Sequence, residues 1–164
     1  MTTKLQDFVA IARKEIGYIE GPKNNETKYG KFTKADMQPW CGSFVMWCAN
    51  QAKLSIPNCV YTPAGAEAFK GQGRWMNHET AKPQAGDLVF FSFDGKGIEH
   101  VGIVIRDAGD GTITTVEGNT SPDSKPSGSQ QNGGEVAMKV RAYRMDNKRK
   151  MPVFVVGFGR PSGK

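Results

Sequence analysis

At Gly86 the hydrophobic period of the chain changes, and that change limits the fold more than any other feature. Before it, Leu5, Phe8, Val9, Ala12 and Ile16 recur at helical spacing. Phe44, Val45, Cys48 and Ala52 make one apolar face of a second helix over residues 41–52. After Gly86 the period is two, and residues 88–93, 98–106, 112–117, 136–144 and 153–158 read as strands. Helices first and an antiparallel meander after them define an α+β domain, with the N-terminal helices packed on the sheet.

The stretches between carry turn chemistry. Residues 21–40 are polar and punctuated by Gly21-Pro22, Asn24-Asn25 and Gly30, which reads as loop. Residues 53–82 read as loop and short helix, and residues 118–134 have almost no apolar side chain and read as a solvated loop. The length of 164 residues suits one domain, assigned to residues 1–161, with 162–164 as a tail or the start of a linker. No apolar run approaches the roughly 18 residues of a membrane span. The N-terminus lacks the order of a secretory signal, so neither a span nor a signal peptide is expected.

Three cysteines, Cys41, Cys48 and Cys59, cannot all pair, which argues against a disulfide scaffold. Zinc would want paired short spacings that these residues and the two histidines do not offer. Cys48 and Cys59 suit a role as small buried hydrophobes. Cys41 differs because it follows Pro39-Trp40 and opens a helix. There, unpaired N–H groups and the positive end of the helix dipole stabilise a thiolate. It is a candidate nucleophile, and a nucleophile needs a base and a group to orient that base.

His78 lies in an irregular polar segment and reads as a surface residue, whereas His100 sits inside a strand pattern. A satisfied core histidine and a general base both fit that position. With a four-residue loop over residues 107–110, Arg106 pairs with Gly111 and His100 lies directly opposite Glu117, about 5 Å away between Cβ atoms. Asn119 then shares that face. A loop one residue longer would send His100 and Glu117 to opposite faces.

Trp40-Cys41 at a helix start, Gly86-Asp87-Leu88-Val89-Phe90-Phe91, His100-Val101-Gly102-Ile103-Val104 and Val116-Glu117-Gly118-Asn119-Thr120 occur in this order. The set resembles the CHAP family (cysteine, histidine-dependent amidohydrolase/peptidase), and the stretch at 25–30 resembles bacteriophage endolysins within it. That resemblance implies a papain-like CHAP fold from about Leu5 to Pro161. By motif, it implies Cys41 as nucleophile, His100 as general base, Glu117 as the residue that orients the histidine, and Asn119 as the polar residue beside it. Tyr29 and Gln38 are candidates for a side-chain oxyanion donor, and Trp40 joins them as a candidate substrate contact. Some members carry an aspartate-rich calcium loop before the cysteine. Residues 24–40 offer only Glu26 and Asp36, so no metal and no cofactor are expected.

The resemblance implies a monomeric endolysin-type hydrolase of the peptide part of bacterial peptidoglycan, either an N-acetylmuramoyl-L-alanine amidase or an endopeptidase. Such a protein resides in the host bacterial cytoplasm until lysis. The net charge of +6 adds attraction to anionic wall polymers. The basic residues form no stripe and no reading motif is present, so nucleic acid is not expected as a partner. The alternatives are a wall-binding module without catalysis and a papain-like transferase that hands the same thioester to another acceptor.

Overall fold

A computed structural model describes all 164 residues. Four helices precede a six-stranded antiparallel sheet. Helix α1 (Thr3–Lys14) starts where the Thr2 hydroxyl accepts the Leu5 N–H at 3.3 Å, and it buries Phe8 and Ala12. Helix α2 (Lys28–Thr33) corrects the reading of residues 21–40 as loop. It has too few residues to show an apolar period, and its signal is the cap: Thr27 accepts the Gly30 N–H at 2.9 Å. Helix α3 (Cys41–Gln51) begins at the expected residue, and α4 (Thr62–Gly71) carries Pro63 in its first turn.

The strands are β1 (Trp75–Asn77), β2 (Leu88–Phe91), β3 (His100–Asp107), β4 (Thr112–Thr120), β5 (Glu135–Ala142) and β6 (Val155–Gly159). Their spatial order is β1-β6-β2-β3-β4-β5. Strands β2 to β5 form the expected meander. Strand β6 departs from it, crossing back to pair with β2, with the short β1 outside. The helices cover one face of the sheet, where Phe8, Phe44 and Val45 meet Val101, Ile103 and Val116. Val89, Phe91, Val104, Ile113 and Phe158 pack on the other face.

The β3–β4 hairpin has a different register from the one expected. The Ala108 N–H donates to the Thr112 carbonyl at 3.0 Å and Asp107 pairs with Ile113, so the hairpin closes tightly around Gly109, Asp110 and Gly111. Continued unbroken, that register would set Glu117 opposite Ile103, on the face away from His100. A bulge at Ile105 prevents it: beyond the bulge, Val104 pairs with Thr115 and Ile103 with Val116. The extra residue returns His100 and Glu117 to one face, offset diagonally rather than directly opposed.

The polar segment after β4 is not left free in solvent. Lys139 donates to the Ser121 carbonyl at 2.5 Å, and Thr120 Oγ1 donates to the Gln130 carbonyl at 2.8 Å. Asn119 binds both Asn132 and the Gly134 N–H. Hydrogen bonds replace apolar contacts in holding this loop to the sheet.

Gly118 lets α3 lie against β4, because a Cβ there would sit 2.7 Å from the Phe44 Cβ and 3.0 Å from the Trp40 ring. Gly118→Ala is therefore expected to destabilise the fold by about 1–3 kcal/mol. Urea unfolding checks this, and an unchanged midpoint would show that α3 has room to retreat.

Candidate active site

The site is assembled where the N-terminus of α3 meets β3 and β4. Cys41 is the first residue of α3, and no side chain caps the first turn of that helix. The backbone N–H groups there are available to a substrate oxygen. Two close packings fix the position of the helix start. A Cβ on Gly42 would fall 1.9 Å from the Cys59 carbonyl oxygen, so the chain at 59–60 lies directly against the helix. Ser43 meets Thr33 of α2 at 2.6 Å between hydroxyls. Cys41 is 4% exposed, whereas Cys48 and Cys59 have no exposed surface.

His100 opens β3 and is fully buried, with the rings of Phe91 and Phe93 at 5.4 and 5.9 Å. Its Nε2 lies 2.8 Å from Glu117 Oε1. Glu117 is ionised and can only accept, so Nε2 carries a proton and Nδ1 is the basic nitrogen of the neutral ring. Nδ1 has no hydrogen-bond partner in the resting chain. It is the nitrogen left to interact with Cys41, whose thiol affects the ring without meeting hydrogen-bond geometry, and such contacts tighten when substrate binds. Burial opposes the imidazolium, but Cys41 and then Glu117 outweigh it and raise the His100 pKa to about 9.

Glu117 is as buried as His100 and has every acceptor position filled. Oε1 also accepts from Arg141 Nη2 at 2.6 Å, while Oε2 accepts from Arg141 Nε at 2.9 Å and from Thr115 Oγ1 at 2.5 Å. Gly102 makes room for it, since a Cβ there would come within 2.6 Å of Glu117 Cγ. Burial alone would raise the carboxyl pKa. The guanidinium of Arg141, followed by His100, holds it well below the usual carboxylate range.

The structure therefore brings Cys41, His100 and Glu117 together and adds Arg141 and Thr115, which the sequence reading missed. A signal for Arg141 was present: strand alternation puts Ala137, Lys139 and Arg141 on one face, and a buried carboxylate calls for a buried cation. Asn119 is fully buried with φ +57°, and its amide is committed to Asn132 and Gly134, so it ties down the loop. Tyr29 is buried among Tyr18, Trp40, Phe44 and Trp47, and its hydroxyl donates to Glu15 at 2.8 Å. Trp40 is also buried, and its Nε1 donates to Glu20 at 2.9 Å. Neither ring offers a free face to a substrate. Gln38 is exposed, three residues before Cys41. Cys48 and Cys59 are buried thiols: burial raises both pKa values, that of Cys59 to about 12. No group of three or more metal-binding side chains occurs.

A family model described as the CHAP domain matches residues 33–119, just over half of the chain. Among solved structures the chain superposes on Ly7917 with a TM-score of 0.53 at 17% identity, covering 99% of this chain and 63% of that one. It also superposes on Ly7917 with the hydrolyzing product of MDP, with a TM-score of 0.51 at 15% identity and coverages of 96% and 62%. At these identities the likeness concerns the fold, and the chain spans less than two thirds of those neighbours. A search of curated protein sequences finds no match.

Two measurements check the electrostatics. The folded His100 pKa of about 9 lies above its ordinary 6.5. The stabilisation it brings is therefore complete below pH 6.5 and is lost as pH rises through about 9. A ¹⁵N titration should place the His100 midpoint in that upper range, and Cys41→Ala should lower it. Iodoacetamide at neutral pH should label Cys41 before Cys48 and Cys59, because burial raises the pKa of the latter two and closes them to solvent. Peptide mapping with Cys59 labelled first would contradict this arrangement.

Proposed function

The chain belongs to the CHAP domain family, and from that premise we propose that it hydrolyses an amide bond in the peptide part of bacterial peptidoglycan, with Cys41 as nucleophile. The observation that carries the proposal is the buried His100–Glu117 pair, joined at 2.8 Å beside a cysteine at the open start of a helix. Cys41, as thiolate, attacks the scissile carbonyl, and its own backbone N–H stabilises the oxyanion. His100, as imidazolium, gives its Nδ1 proton to the leaving amine. The neutral ring then takes a proton from water as the thioester is hydrolysed. Glu117 stays ionised throughout and holds the ring by Nε2.

Further support comes from the flanks of the site. Residues 59–60 press against Gly42, and the next residue, Tyr61, is 70% exposed. Ile19 bridges to Glu135 and is 67% exposed, next in the chain to the Glu20 that binds Trp40. Exposed apolar side chains on the segments that pack on Gly42 and Trp40 suit contact with a peptide. The likeness to Ly7917 with the hydrolyzing product of MDP points to the same substrate class. The finer reading is an endolysin-type enzyme, an N-acetylmuramoyl-L-alanine amidase or an endopeptidase, made in a host bacterial cytoplasm and reaching the wall at lysis. No helix is long and apolar enough to cross a membrane.

The test is digestion of purified peptidoglycan followed by mass spectrometry of the fragments. A free amino-sugar lactyl carboxyl opposite a free L-alanine N-terminus marks an amidase, and a new peptide N-terminus elsewhere marks an endopeptidase. Cys41→Ser should lower the rate by roughly three or more orders of magnitude. Its stability should stay within about 1 kcal/mol of wild type. Full hydrolysis by that variant would remove the nucleophile assignment.

A further inference from the structure

Arg141 lies behind the carboxylate that orients His100 and makes two of its four side-chain hydrogen bonds. It forks onto both oxygens of Glu117 at 2.6 and 2.9 Å, its guanidinium sits over Phe91 and Phe93 at 5.1 and 5.5 Å, and its Nη1 donates to Gln130 at 2.9 Å. The fork geometry leaves Glu117 one hydrogen-bond site directed at His100 Nε2. Phe91 and Phe93 bring uncharged rings to His100, and Cys41 on α3 brings its thiol. Glu99, next in the chain, is committed to the Phe93 N–H at 2.7 Å, and Lys139 faces Asp123 at 2.8 Å.

The charges around the reacting pair can then be counted in each state. In the resting pair, thiol with neutral imidazole or thiolate with imidazolium, Glu117 and Arg141 cancel, and the buried group is neutral either way. After acylation the sulfur is a neutral thioester and His100 has given up its proton. Without Arg141 the ring would then face a buried, uncompensated carboxylate, which favours taking a proton from bulk water and remaining imidazolium. An imidazolium has no lone pair with which to activate the hydrolytic water.

Resting on the hydrolase reading above, we propose that Arg141 is a positioning residue that keeps His100 a neutral base in the thioester stage, by neutralising and clamping Glu117. In that stage water forms the new C–O bond while Nδ1 of His100 accepts its proton. The C–S bond breaks, and Cys41 leaves as thiolate beside the newly formed imidazolium. The carboxyl group freed from the scissile amide departs as product. Arg141 touches neither substrate nor sulfur, and acts only through Glu117.

The test separates this role from a merely structural one. With Cys41 capped as its methyl disulfide, no thiolate remains, and the His100 titration by ¹⁵N NMR needs no substrate. Arg141→Met should raise the midpoint by about one unit or more, whereas Arg141→Lys, which keeps the charge, should leave it within about half a unit. Gln130→Ala cuts the link to the loop but not the clamp, and should leave the midpoint unchanged. In turnover on purified peptidoglycan, Arg141→Met should accumulate a covalent adduct on Cys41 at neutral pH, visible by intact mass, that clears when the pH is raised. A midpoint that stays put or falls in Arg141→Met overturns the proposal. Should that variant not fold, Arg141→Lys decides: an adduct that accumulates while the His100 midpoint is unchanged overturns it, and clearance near the wild-type rate supports it. If the wild-type chain does not cut peptidoglycan at all, the hydrolase reading fails, while the titration still decides the role of Arg141.

Discussion

Everything at the site depends on one buried carboxylate. Glu117 has no exposed surface, and a carboxylate in that position is tolerated only because cationic and hydroxyl donors fill its acceptor sites. The donors come from three strands: His100 on β3, Thr115 on β4 itself and Arg141 on β5. The side chain therefore does in the sheet what a packed leucine would do elsewhere, joining strands. Unlike a leucine, it specifies which neighbours are allowed. Removing one partner leaves a charge uncompensated, so breaking such a group costs far more than its assembly contributes.

That carboxylate can meet His100 only because the β3–β4 hairpin corrects its own register. The tight closure around Gly109, Asp110 and Gly111 by itself puts the two side chains on opposite faces, and the bulge at Ile105 reverses this. The position of Cys41 is set separately, by glycines. Gly118 admits the Phe44 and Trp40 side chains against β4, and Gly42 admits the backbone at Cys59 against the helix. Sheet register thus places the base, and close packing of a helix start places the nucleophile. The two meet where β3 begins and β4 ends, in the interior of the sheet.

This division explains what could be read from the chain beforehand. The helix at Cys41 and the central strands are written in apolar periodicity, and Cys41, His100 and Glu117 stand out as chemistry-bearing residues at element starts or on one strand face. The expected pairing was right about the shared face and wrong about the register, because two departures, a tighter turn and a bulge, offset each other in parity. Neither leaves an apolar signature: Ile105 looks like any other inward-facing residue. Helix α2 was missed because six residues cannot display a helical period. Arg141 was missed because its partner lies across a long connection whose length fixes no register. Tyr29 as a candidate oxyanion donor and Trp40 as a candidate substrate contact both fail because the sequence does not tell whether a ring faces the cleft or the core.

The long connection between β4 and β5 completes the arrangement. Its residues lack the apolar side chains that would hold a loop by burial, and its order comes instead from cations on β5. Lys139 reaches the Ser121 carbonyl and Asp123, and Arg141 reaches Gln130 while it clamps Glu117. Asn119, in a left-handed conformation two residues after Glu117, turns the chain into this loop and fastens its far end through Asn132 and Gly134. A loop held in this way is held by directional bonds, and those bonds share residues with the site. The loop and the carboxylate thus share one guanidinium. A polar segment with almost no apolar side chain is constrained by the same guanidinium that keeps the carboxylate charged.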